Sequence, residues 1–139
     1  MLRFLFDTDH LTLYDHGHSR VRQRRNAEPR DAVGINAVTI QEYLRGRLAA
    51  IARHVNGPSQ VQAYANLVAS VQLFHQFPIV AFDLASQSHF QQLRSLRPRI
   101  GTQDLKIAAI ALANKLTLLT RNRRDFGRIP GLLFDDWSV

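Results

Sequence analysis

Phe4-Leu5-Phe6-Asp7-Thr8-Asp9 is the stretch whose reading decides the fold. A short apolar run climbs into a carboxylate and ends there, the pattern of a buried strand closed by polar turn formers. In α/β sheets, ligands gather just beyond the carboxyl ends of the strands, so Asp7 is expected on that rim. An unpaired acid at the end of an apolar strand is costly to bury. Asp7 therefore needs partners, and three other sections of the chain can bring polar side chains to the same edge.

The remaining sequence supports one α/β domain over residues 1–139. A chain of this length can bury roughly 70 % of the surface it exposes when unfolded. The spacing predicts strands over 2–6, 33–38, 78–82, 116–120 and 132–134. Helices are expected from Thr8 to about Asp15, from a Ser19 cap to Ala27, from Thr39 through Ile51, from Gln60 to Gln76, from an Asp83 cap through Leu96, and from a Thr102 cap to about Asn114. Arg121 to Arg128 reads as a polar turn. Alternating strands and helices imply a short, mainly parallel central sheet flanked by helices in three layers.

Composition narrows the function classes. The sequence contains 18 Lys plus Arg against 11 acidic residues, a net charge of +7, and no cysteine. Lack of cysteine excludes disulfides, thiolate zinc sites and cysteine nucleophiles, and fits a cytoplasmic location. No apolar run approaches the ~18 residues of a membrane span. Met1 to Phe6 is too short for a signal peptide, and Asp7 and Asp9 interrupt it. The positive balance, carried almost wholly by arginine, favours polyanionic partners such as RNA.

The acids are few enough that each position matters. Asp7 closes the first strand, Glu42 is expected in the first turn of the helix after the second strand, and Asp104 in the first turn of the Thr102 helix. Asn122 and Asp125 follow the strand ending at Thr120. Crowded carboxylates repel one another, and a divalent cation relieves the repulsion; hard oxygen donors select Mg²⁺ or Mn²⁺. Each residue also has a plain structural reading. Thr39-Ile40-Gln41-Glu42 fits a capping box, Asp104 complements a helix dipole, and Asp125 suits a turn.

The motifs resemble those of PIN-domain nucleases. Phe6 to Leu11 and Val38 to Gly46 look like the first two motifs, Gly101 to Ala109 like the third, and Leu119 to Phe126 like the fourth. Ile129 to Leu132 and Asp136-Trp137 resemble the family's tail. The likeness spans nearly the whole chain and lies closest to the VapC-type toxins of bacterial toxin–antitoxin pairs. It implies an Mg²⁺- or Mn²⁺-dependent endoribonuclease that hydrolyses phosphodiesters with metal-activated water. Asp7 and Asp104 match the principal metal ligands, and Glu42 the second acid. The chain departs from the pattern at Asn122, where many relatives carry an acid, so either Asn122 or Asp125 fills the fourth corner. Thr8 and Thr120 look like neighbouring site hydroxyls. The resemblance also implies a cognate antitoxin and a homodimer, with partner contacts on the helices around Leu48–Val71.

The cluster Arg20–Arg30 and the group Arg121, Arg123, Arg124, Arg128 are candidates for steering RNA. His16-Gly17-His18 reads as a surface loop. Two other readings remain open at this point. The Asp7-Thr8-Asp9 run fits the signature of haloacid-dehalogenase-like phosphatases, with Thr39, Lys115 and Asp135-Asp136 pressed into the supporting roles. The fold could also serve as an RNA-binding module that lost turnover, with Asn122 as the lesion.

Overall fold

Neighbouring residues of the central strands point into different layers. Leu5 and Leu118 face one apolar cluster, with Phe90, Leu93, Leu105 and Phe126. Phe6 and Leu119 face the other, with Leu11, Val21, Phe74, Phe77 and Trp137. This alternation with a period of two is what a pleated strand produces, and it builds the three layers.

The computed structural model describes residues 1–139. The elements in chain order are β1 (Phe4–Phe6), α1 (Thr8–Asp15), α2 (Ser19–Asn26), β2 (Val33–Asn36), α3 (Ala37–Arg53), α4 (Gly57–Phe74), β3 (Ile79–Val80), α5 (Leu84–Ser95), α6 (Thr102–Ala113), β4 (Thr117–Leu119), α7 (Arg123–Phe126) and β5 (Phe134–Asp135). The five strands lie in the order β3-β2-β1-β4-β5. All four pairings are parallel, with Phe4 opposite both Val33 and Thr117. The sheet grows in one direction from β1 to β2 and β3, then in the other to β4 and β5. The topological switch point therefore lies between β1 and β4, where such sheets open a crevice.

Several expected boundaries shift for local reasons. The second strand stops at Asn36 instead of Val38, and α3 starts at Ala37. Asn36 caps α3, its Oδ1 accepting the Thr39 N–H at 2.9 Å while its Nδ2 donates to the Phe6 carbonyl at 3.1 Å. Thr39 therefore lies inside the helix, and the Thr39–Glu42 capping box does not form. Likewise His18 caps α2 instead of Ser19, through Nδ1. The next helix, α4, begins at Gly57, where φ is +73°, with Pro58 in its first turn; proline is tolerated there because that N–H has no helical partner. Thr102 is the first residue of α6 and not its cap, a place taken by Gly101. The polar turn 121–128 contains a single helical turn, α7, capped by Asn122. Leu132 packs in the core, so the last strand falls on Phe134–Asp135.

The apolar face of α4 turns outward. Val61, Tyr64, Val68 and Val71 are all exposed, as is Leu48 of α3. The helix instead buries Ala63, Ser70, Leu73 and Phe74. No helix is long and apolar enough to cross a membrane.

Candidate active site

The carboxyl ends of β1, β2 and β4, with the start of α6, meet around a cleft of about 520 Å³. Asp7, Thr8, Asp9, Thr12, Glu42, Asp104, Arg121, Asn122 and Phe126 line it, and of these only the last is hydrophobic.

Asp7 leaves β1 and caps α1, its Oδ1 accepting the His10 N–H at 2.8 Å. That bond fixes one carboxylate oxygen of a side chain that is nearly buried. One residue on, the Thr8 hydroxyl donates to Glu42 Oε1 at 2.7 Å and lies 2.9 Å from the Thr39 hydroxyl. Because α3 starts at Ala37, Glu42 sits in its second turn and not its first. The helix dipole acts mainly within the first turn, so the Thr8 hydroxyl, more than the helix end, holds Glu42. Asp104 does lie in the first turn of α6.

These acids feel one another. Burial pushes the Asp104 carboxyl up to about 6, and the charges of Asp7, then Glu42, then Asp125 add to the shift. Burial and neighbouring like charges both disfavour the ionised form of a carboxyl. An oxygen-only donor set under mutual repulsion is the chemistry that hard divalent cations take, so the residues present fit such an ion. The group whose ligand atoms lie within 4.8 Å of one another is a different one, Asp7, Asp9 and His10. It suits a cation less well. Both Asp9 oxygens are held by the Arg121 fork, at 2.7 and 2.8 Å, and His10 is wholly buried with Nε2 accepting the Trp137 N–H.

The fourth corner is shared. Asn122 faces the cleft, while its Nδ2 donates to Asp125 Oδ2 at 3.0 Å and its Oδ1 accepts the Asp125 N–H at 3.2 Å. Asp125 thus stands behind Asn122 and reaches the cleft through its charge on Asp104. Thr120 is fully buried, and its hydroxyl accepts the Asn122 N–H at 3.0 Å; it shapes the turn and does not line the cleft.

Of the basic residues, Arg121 lines the cleft, and Arg123 and Arg124 are exposed on α7. The Arg20–Arg30 cluster is largely committed elsewhere. Arg25 is buried over the Phe77 ring and donates to the Gln76 carbonyl. Arg22 donates to the carbonyls of Tyr14 and Asp15 at the end of α1, and Arg24 lies over Trp137. The phosphatase arrangement fails on Lys115, which precedes β4 and so lies at the opposite edge of the sheet from Asp7.

Asp9, Thr12 and Phe126 line the cleft and Asn36 anchors it without being singled out by the sequence pattern. Thr12 was detectable, since it follows Thr8 by one helical turn and shares its face. Asn36 is a preferred cap residue with a local partner in the Thr39 N–H, but its bond to Phe6 and that of Asp9 to Arg121 join distant segments, which nothing local signals.

Comparison with known proteins bears on the fold and the family. The PIN domain matches residues 7–132. The tRNA(fMet)-specific endonuclease VapC of Shigella flexneri is 28 % identical over 143 residues, covering 99 % of this chain and 100 % of the relative. Among solved structures, DNA-bound VapBC from Salmonella typhimurium superposes with a TM-score of 0.81 at 25 % identity, covering 99 % of both chains. VapBC-1 from nontypeable Haemophilus influenzae shares the fold at a TM-score of 0.77 and 22 % identity over the full length of both.

Proposed function

The chain belongs to the PIN-domain family, and on that premise we propose that it is a metal-dependent endoribonuclease acting as the toxin of a toxin–antitoxin pair. The observation that carries this reading is the convergence of Asp7, Glu42 and Asp104 on one cleft, where burial and then the charges of Asp7 and Glu42 push the Asp104 carboxyl up. VapC endonucleases are similar over the whole length.

Asp7, Glu42 and Asp104 would hold Mg²⁺ or Mn²⁺, with Asp125 adding negative charge behind Asn122. When bound, such an ion offsets the charge of a phosphodiester undergoing in-line displacement by water. The chain's own residues do the rest. Thr8 keeps Glu42 turned toward the cleft. Asp9 holds two donors of the Arg121 guanidinium, leaving its other N–H groups for an RNA phosphate. Arg123 and Arg124, exposed on the adjoining turn, extend this positive rim. No side-chain nucleophile is required.

The exposed apolar face of α4, with Leu48, is a surface for the antitoxin or for a second copy of the chain. Large exposed apolar patches mark such contacts, and the similar solved structures are VapBC complexes.

Purified protein should cleave RNA with Mn²⁺ or Mg²⁺ and fall silent when EDTA removes the metal. Mapping new 5′ ends in cellular RNA after brief expression would identify the target. Cleavage that persists in EDTA would overturn the metal reading. RNA binding without cleavage in any divalent cation would instead favour a module that lost turnover.

A further inference from the structure

His10 is fully buried between Asp7 and the C-terminal tail. Its Nε2 accepts the backbone N–H of Trp137 at 3.1 Å, across 127 positions of sequence. An imidazole nitrogen that accepts carries no hydrogen, so the ring's hydrogen sits on Nδ1. Nδ1 has no hydrogen-bond partner within 3.5 Å, and it lies 3.6 Å from Asp7 Oδ1. Asp136 also approaches Nε2 at 3.6 Å, but its Oδ1 already accepts from the Ser138 N–H and hydroxyl, at 2.8 and 2.6 Å. The tail thus closes its own turn and offers His10 a donor, which leaves Asp7 Oδ1, at 3.6 Å, as the carboxylate oxygen near Nδ1.

We propose that His10 is a positioning residue for Asp7, its Nδ1–H steadying Oδ1 of that carboxylate while its Nε2 anchors the C-terminal tail. The backbone N–H of His10 already holds the same oxygen at 2.8 Å. The backbone bond at Oδ1 leaves Oδ2 without a hydrogen bond from the protein and free to serve the cleft. Carboxylates that bind metals are commonly oriented by such outer hydrogen bonds. The inference rests on the reading of Asp7 as a metal ligand. His10 also joins the tail to β1, against which Trp137 packs at 4.9 Å from Phe4 and 6.2 Å from Phe6 between ring centres.

Two substitutions in the full-length protein separate the ring's roles. His10→Gln can still accept from Trp137 through its Oε1 but has no donor at the Nδ1 position, leaving Asp7 Oδ1 the backbone N–H alone. His10→Asn can still donate to Asp7 but cannot reach the Trp137 N–H. Trp137 is the sole tryptophan, so its fluorescence reports tail docking in each variant, and calorimetric titration with Mn²⁺ reports the site. The expected result is wild-type fluorescence with Mn²⁺ affinity lowered about 10-fold or more in His10→Gln. His10→Asn should show the reverse, a perturbed tail with affinity near wild type. ¹⁵N-histidine NMR of the metal-free wild type should show the His10 hydrogen on Nδ1. A hydrogen on Nε2, or equal Mn²⁺ affinity in wild type and His10→Gln, would overturn this inference alone. A wild-type protein that binds no Mn²⁺ would overturn the metal reading and this inference with it.

Discussion

Asp104→Asn is expected to abolish metal-dependent RNA cleavage and, in metal-free protein at pH 7, to raise thermal stability. The carboxyl's ordinary value is 3.8, and the folded protein pushes it up to about 6. The folded state therefore holds this proton more tightly than the unfolded chain does. Stability from this group is fully present below pH 3.8 and is lost as pH rises through 6. At pH 7 the ionised side chain opposes folding, and asparagine removes that opposition. The full displacement corresponds to roughly 3 kcal/mol; because Asp104 is only part-buried, solvent screening reduces it to about 1 kcal/mol. That is a rise in Tm of about 3 °C for a chain of this size. Mn²⁺ should reverse the order, stabilising wild type above the variant, and should bind wild type progressively more weakly below about pH 6 as protons compete. Thermal melts in EDTA and in Mn²⁺ at pH 5 and pH 7 check both halves. A variant less stable than wild type in EDTA at pH 7 would show that the acids do not repel as described.

Asn36→Ala is expected to cost about 2–3 kcal/mol and to reduce cleavage without touching a metal donor. Loss of the cap accounts for about 1 kcal/mol. That cap bond is the one from the Thr39 N–H; the Phe6 carbonyl also loses its partner in a fully buried setting, which adds about 1–2 kcal/mol. Asn36 ties the end of β1 to the start of α3, the two elements that carry Asp7 and Glu42. Its removal loosens the spacing of those acids as well as the fold. Urea denaturation measures the first effect and Mn²⁺ titration the second; a stability loss under about 0.5 kcal/mol would mean the cap is dispensable.

The strand-end acids were legible because they depend on local pattern. An apolar run closed by Asp7, and an Ala-rich helix opened near Asp104, can be read without knowing the fold. Asp83 as the α5 cap was readable for the same reason. What escaped reading depends on distant partners. Thr39-Ile40-Gln41-Glu42 has every local mark of a capping box, yet Asn36 takes the cap because its other hand reaches Phe6 on a neighbouring strand. Arg25 looks like one more surface cation in a basic run, and only the Tyr14 and Phe77 rings explain why it is buried. The apolar stripe on α4 gives a helix but not its facing: periodicity cannot distinguish a core from a surface meant for another chain. Asn122 remained ambiguous for a related reason, since its bonds to Asp125 appear only once the residues between them coil into α7.

RNA cleavage by Asp7→Asn in Mn²⁺ bears most directly on whether this cleft is the nuclease site. Asparagine keeps the Oδ1 that caps α1, so the circular dichroism spectrum should match wild type, while the charge facing the cleft is gone. The expected result is a folded protein with no detectable cleavage under conditions where wild type cuts RNA to completion. Wild-type cleavage by folded Asp7→Asn protein would contradict it.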